Sequence, residues 1–263
     1  TTKDLRGEYP LVESLKTRFM RRCNGFVVPG KSAFEYLMKY GTPEEIIFTA
    51  PNAVDTEFFE RRVESVHKNA AVHRHALDLP SRYFLCVGRL VPEKGVFDLL
   101  QAYGTLTPEL RAVVGLIFVG NGVARSELQK RAAAIVPGSV QFAGFQHREQ
   151  LASFYALAEA LVLPTHTDAW GLVVNEAMTS GLPVISTSVA GCAADLIEDG
   201  WNGRIIPAAD IGKLSSAMDE LARNAEVRSL MGQRSRERAQ RYSPVACAAG
   251  IAEAVLVSGR SSR

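Results

Sequence analysis

Four charged side chains stand where apolar runs give way to helical patterns: Arg89, Lys94, Asp168 and Glu176. Arg89 and Lys94 belong to the segment Val87-Gly88-Arg89-Leu90-Val91-Pro92-Glu93-Lys94-Gly95. Gly88 lets a ligand approach the backbone, and Pro92 stiffens the loop. Two cations fixed in this way suit a diphosphate; the plainer alternative is two solvated charges in a surface loop. Asp168 precedes a helix expected to start near Gly171, and Glu176 lies inside it. At ~1.5 Å per residue the helix rises roughly 7.5 Å between Gly171 and Glu176, so the two carboxylates cannot share a proton or flank one bond. They can hold two rings of an extended ligand, whose anionic centre would meet the unpaired N–H groups of Gly171, Leu172 and Val173. The alternative is a capped helix carrying one exposed glutamate.

Other signals are weaker. Val119-Gly120-Asn121-Gly122-Val123-Ala124-Arg125 imitates part of a G-x-G-x-x-G fingerprint, with Arg125 at the third glycine. A tight turn at positive φ explains it better than a dinucleotide does, and Gly120 and Asn121 are candidates for the wall of a nucleotide pocket. The segment Gly181-Leu182-Pro183-Val184-Ile185 reads as architecture: a helix ends at a glycine and a buried strand follows. His166 is the histidine beside this chemistry, either a base or a solvent-facing loop residue. His67, His73, His75 and His147 make no metal-ligand cluster, and Cys23, Cys86, Cys192 and Cys247 are scattered. Neither zinc nor a disulfide framework is expected, and Cys86, inside an apolar run, is expected to be a core thiol.

These residues need a scaffold, and the pattern supplies one. Short, almost wholly apolar runs read as strands at Phe26–Val28, Ile46–Phe48, Tyr83–Val87, Val113–Val119, Val140–Phe142, Ala160–Leu163, Pro183–Ser186 and Arg204–Ile206. Helical patterns alternate with them at Leu11–Arg22, Lys31–Tyr40, Val96–Tyr103, Val123–Ile135, Glu149–Ala158 and Leu172–Ser180. Strands without polar alternation are covered on both faces, so the expected fold is α/β, a doubly wound, Rossmann-like parallel sheet. Three helices follow, at Asp210–Arg223, Glu226–Gln240 and Pro244–Val257, the last capped by Ser243.

The 263 residues allow one large domain or two small ones, and residues 61–80 are polar, His-rich and read as a helical connector. A net charge of +2 gives no reason to expect a nucleic-acid partner. No uninterrupted apolar stretch of ~18 residues marks a membrane span, and no signal peptide is recognised. Reduced, scattered cysteines fit a cytoplasmic site. Lys16, Arg18, Arg21 and Arg22 beside Leu11, Leu15 and Phe19 allow weak peripheral contact with the inner membrane face. A helix packed on its own domain is the plainer reading. The opening Thr1–Gly7 lacks the pattern of a domain start, and a truncated product or a gene fragment is expected.

Taken in order, the motifs resemble the group 1 glycosyltransferases, also called glycosyltransferase family 4, from about Asn24 to Val257. The resemblance rests on Pro51-Asn52-Ala53-Val54-Asp55, Gly88-Arg89…Glu93-Lys94-Gly95, Gly144-Phe145, Trp170 through Met178, Gly181 through Ile185, and Asn202-Gly203. It implies a GT-B fold of two Rossmann-like domains. Residues 1–60 would be a remnant of the acceptor-side domain, 61–80 the connector, 81–243 the nucleotide-sugar-binding domain, and 244–263 a helix returning toward the first domain. It also implies a retaining transfer of a hexosyl group from a nucleotide-diphosphate sugar to a hydroxyl of a glycan or lipid-linked acceptor, without a metal or other cofactor. In that scheme Arg89 and Lys94 stabilise the leaving diphosphate, Glu176 holds the ribose and Asp168 the donor sugar, while backbone near Phe145 and Gln146 reads the base. Gly88, Gly120, Asn121, Trp170, Gly171, Leu172 and Val173 complete the donor-binding set. Asp168 departs from the family's usual Glu, and Ala53 from its usual glycine. The alternative function is a truncated, catalytically weak nucleotide-sugar-binding module. A dinucleotide oxidoreductase would need the full glycine fingerprint after its first strand, which this chain lacks, and no lysine is marked for pyridoxal phosphate.

Overall fold

The computed structural model describes residues 10–260. The opening Thr1–Gly7 lies outside the described residues. The chain divides into two compact units, residues 1–54 with 241–263 and residues 55–240.

The smaller unit begins with α1 (Pro10–Met20), β1 (Phe26–Val28), α2 (Lys31–Lys39) and β2 (Ile47–Thr49). The two strands pair in parallel with Val27 opposite Phe48, and α2 makes the crossover. Val28, Leu37 and Ile47 form the core. Ile46, expected in the strand, instead closes a 3₁₀ turn that follows Pro43, because proline fixes the backbone entering it.

The larger unit begins with α3 (Thr56–Lys68) and α4 (Ala70–Ala76). Asp55 caps α3 by accepting from the Phe58 N–H at 3.0 Å. Residues 61–80, expected as a connector, thus fold as the rest of α3 and all of α4, with Val63 and Val66 buried. The helical reading holds, and what the local composition hid is that these helices belong to the larger unit: the exposed face of α3 is strongly charged, while Phe59, Val63 and Val66 repeat at helical spacing on the other.

The unit continues through β3 (Tyr83–Val87), α5 (Val96–Gly104), α6 (Pro108–Arg111), β4 (Gly115–Val119), α7 (Arg125–Ile135), β5 (Val140–Gly144) and α8 (Arg148–Leu157). It ends with β6 (Ala160–Leu163), α9 (Leu172–Thr179), β7 (Val184–Thr187), α10 (Ala193–Leu196), β8 (Gly203–Ile206), α11 (Ile211–Arg223) and α12 (Ala225–Ala239). The expected strand at Val113 starts two residues late, because α6 intervenes; Thr107 caps it and Pro108 occupies its first turn.

The six strands run parallel in the order β5-β4-β3-β6-β7-β8. Every residue of β3, β6 and β7 is buried, which is why these runs lack polar alternation. The strand order reverses between β3 and β6, where successive crossovers leave toward opposite sides. A crevice opens there at the carboxyl ends of the strands.

The last helix, α13 (Pro244–Arg260), belongs to the smaller unit and packs on β1 and β2. The expectation that no segment suits a bilayer needs one amendment. By length and composition alone, the helical run Ala225–Gly259 passes for a membrane span, and only 11% of its apolar window is buried. Interspersed alanine, glycine and serine keep that window from standing out as one apolar stretch. α1 packs on its own unit, with Met20 against the core and the Tyr40 hydroxyl donating to Glu13, and it leaves Leu11, Leu15 and Phe19 exposed together with Arg18, Arg21 and Arg22.

Candidate functional site

The loops that follow β3 and β6 come together at the reversal of strand order. They enclose a cavity of about 360 Å³ lined by Cys86–Arg89 and Lys94 on one side and by Leu163 and Asp168–Val173 on the other. A second cavity of about 440 Å³ is lined by Val87, Gly88, Arg89, Val119, Gly120, Asn121, Phe145, Gln146 and Leu151. The stretch Val87–Arg89 belongs to both walls, so the two cavities adjoin along one loop. Every site residue expected from the sequence lies on one of these walls except Glu176.

Two glycines make the arrangement possible. Gly120 holds φ 128°, and a Cβ there would overlap the carbonyl oxygen of Gly88. The loops after β3 and β4 therefore touch backbone to backbone, with the Gly88 N–H donating to the Val119 carbonyl at 3.0 Å. Gly171 holds φ 98° as the N-cap of α9, turning the chain so that the first N–H groups of the helix meet the first cavity.

The charges differ in how they are held. Lys94 donates to the Asp168 Oδ2 at 2.5 Å, and both side chains are largely buried. The Asp168 Oδ1 accepts from the Trp170 N–H at 3.3 Å, so both carboxylate oxygens are engaged. Arg89 is exposed and makes no ion pair among the described residues. The first cavity thus presents one free cation, one neutralised ion pair and a helix N-terminus.

Glu176 is half-buried on α9. Its Oε2 accepts from the Tyr155 hydroxyl at 2.7 Å. Burial raises its carboxyl above the ordinary range, while the Tyr155 hydrogen bond and the charge of Arg148 pull it back. Arg148 starts α8, the helix that also carries Tyr155 and Leu151, and Leu151 lines the second cavity. Glu176 thus lies on α9, the helix whose N-terminus lines the first cavity, with its carboxylate tied to α8. The reading of it as an exposed glutamate does not hold.

Other expectations are refined. Trp170 forms part of the wall, but its indole is buried and its Nε1 donates to the Asn175 Oδ1 at 2.9 Å. Phe145 is exposed, with its ring edge-on to His147. The Asn121 Oδ1 accepts from Arg125 at 2.6 Å, which gives a structural use to the arginine that spoils the glycine fingerprint. The His166 Nε2 lies 2.6 Å from the Asp98 Oδ2, and its backbone N–H donates to the Glu93 carbonyl. It pins the loop after β6 to the turn carrying Lys94, and it is absent from both walls. Cys86 is a core thiol pushed up to about 12 by burial. Sequence reasoning missed Tyr155 and Leu151; Tyr155 is one of the buried positions of α8, Leu151 is half-buried, and their spacing carries no chemical signal of its own.

Comparison with known proteins agrees with this geometry. The family model for glycosyl transferases group 1 matches residues 68–238. The D-inositol 3-phosphate glycosyltransferase of Streptomyces coelicolor is 32% identical over 209 residues, a match covering 75% of this chain and 46% of that protein. The sulfoquinovosyl transferase SQD2 of Arabidopsis thaliana is 28% identical over 191 residues, covering 72% of this chain and 36% of that protein. The chain thus spans about half or less of the length of these relatives. Among solved structures, Anabaena Alr3699/HepE in complex with UDP and glucose superposes with a TM-score of 0.73 at 19% identity, over 94% of this chain and 67% of that one. The fold is accordingly of the GT-B type, and the chain belongs to the group 1 glycosyl transferases.

Proposed function

We propose that this protein transfers a hexosyl group from a nucleoside-diphosphate sugar to an acceptor hydroxyl, with retention at the anomeric carbon and without a metal. The observation that carries the reading is the pair of cavities joined at Val87–Arg89, with a cation, an ion pair and a helix N-terminus around one of them. The diphosphate would lie against Arg89, Lys94 and the N–H groups of Gly171–Val173. The base would occupy the second cavity beside Phe145 and Gln146, and the ribose would sit between them within reach of Glu176. The donor sugar would take the Asp168 side of the first cavity.

Bond breaking at the anomeric carbon throws negative charge onto the diphosphate, and fixed cations and N–H dipoles stabilise that charge where it develops. The acceptor hydroxyl then attacks from the face the diphosphate is leaving, and its proton passes to a diphosphate oxygen. No protein nucleophile is required, and the protein contributes alignment and electrostatics. The acceptor is a glycan or lipid-linked hydroxyl. The exposed Leu11, Leu15 and Phe19, flanked by basic residues, support peripheral contact with an anionic cytoplasmic membrane face.

Incubation of the chain with UDP-, GDP- and ADP-hexoses, followed by proton NMR, tests the reaction. The expected result is slow donor hydrolysis, unchanged by EDTA, whose first-formed anomer keeps the donor's configuration. The opposite anomer would overturn retention, and loss of activity with EDTA would overturn the metal-free scheme. One observation favours a second reading, a nucleotide-sugar-binding module: the chain covers 46% of a 32%-identical relative. Tight donor binding with no hydrolysis or transfer would select it.

A further inference from the structure

Tyr155 lines neither cavity. It is fully buried on α8, with its ring held edge-on against Phe59 of α3 at a centroid distance of 6.0 Å. The hydroxyl of this immobilised ring reaches across to α9 and donates to one oxygen of Glu176 at 2.7 Å. The other oxygen, Oε1, has no hydrogen-bond partner among the described residues, and it is not sealed from solvent. A carboxylate with one oxygen tied and the other open is fixed in direction. Left untied, the Glu176 side chain would sample several rotamers and pay their entropy on meeting a ligand.

We propose that Tyr155 is a positioning residue for the ribose subsite, clamping one oxygen of Glu176 so that the other is presented to the ribose hydroxyls of the donor. This rests on the reading of Glu176 as the ribose ligand. Tyr155 acts only through that carboxylate. Its influence is therefore confined to ligands that carry the hydroxyls, and a residue serving packing alone would not discriminate among them.

Isothermal titration tests the proposal, using whichever of UDP, GDP and ADP binds best and its 2′,3′-dideoxy form. Tyr155→Phe keeps the ring and removes the hydroxyl. It should bind the ribose form about tenfold more weakly, as expected for one lost hydrogen bond to a charged group, and the dideoxy form within about twofold of the parent. Glu176→Ala should show the same ribose selectivity, and the double variant should lose little beyond Glu176→Ala alone. Phe59→Leu disturbs the same packing and spares the hydroxyl, so any loss it causes should be equal for both forms. Equal weakening of the two forms by Tyr155→Phe, or ribose-selective weakening by Phe59→Leu, would overturn the positioning role and leave Glu176 in place. A Glu176→Ala loss independent of the ribose hydroxyls would instead remove the reading on which the proposal stands.

Discussion

At the scale of single residues, the ion pair between Lys94 and Asp168 changes what removing Asp168 should do. Asp168 holds Lys94 at 2.5 Å, so a diphosphate must compete for that cation. Asp168→Ala is expected to leave nucleoside-diphosphate affinity unchanged or tighter while weakening the nucleotide-sugar, whose hexose loses its contact; titration of both ligands reads this directly. Glu176→Ala should weaken both. Arg89 is exposed and makes no ion pair among the described residues, so Arg89→Ala should cost a diphosphate nucleotide about tenfold, the low end for a charge-assisted contact, and leave the nucleoside untouched. Glu176 also carries a stability consequence. Burial raises its carboxyl, so its ionised form opposes folding. The sign follows from linkage: the residue costs nothing below its unfolded value of about 4.3, and the cost grows as pH rises through its higher folded value. Glu176→Gln should therefore melt above the parent at pH 8, and the gap should close by about pH 4. A gap that widened on acidification would refute the account.

Among the elements, the site depends on how closely the loops after β3 and β4 approach. Gly120 at φ 128° leaves no room for a Cβ beside the Gly88 carbonyl. Gly120→Ala should combine backbone strain with a displaced loop. A loss of about 1–3 kcal/mol in chemical denaturation is expected, with diphosphate binding weakened as well because Val87–Arg89 serves both cavities. Unchanged stability would mean that the two loops separate at little cost. The buried Trp170–Asn175 hydrogen bond and the hold of His166 on Asp98 fix the loop between β6 and α9 from within. That explains how a stretch rich in polar residues keeps Asp168 in place.

At the scale of the whole molecule, both cavity walls, Glu176 and Tyr155 lie within residues 55–240. A fragment of those residues should retain diphosphate binding. At a ligand concentration 100 times the dissociation constant, UDP, GDP or ADP should stabilise the intact chain by about 2.7 kcal/mol, seen as a rise in melting temperature. No shift with any of the three at millimolar concentration would count against the site. Binding by the intact chain and none by the fragment would show that residues outside 55–240 complete it.

Much of this was legible in the residues. Parallel strands covered on both faces lose polar alternation, so β3, β6 and β7 announced a doubly wound sheet. Loop glycines and charges at strand ends marked Gly88, Arg89, Lys94, Gly120, Asp168 and Gly171, because such positions need particular backbone or charge chemistry. Local pattern could not show which distant groups meet. The tie between Lys94 and Asp168 spans 74 residues, and it exists only because strand order reverses between β3 and β6. The Tyr155 hydroxyl reaches Glu176 because α8 and α9 pack within one core, and in sequence Tyr155 is one more apolar position on a buried helix face. Residues 61–80 looked like a connector because charge dominates the local composition; burial of Val63 and Val66 against neighbouring helices made them part of the larger unit. Composition and periodicity set the layers and the candidate loops, and long-range packing decided the partners of each charged group.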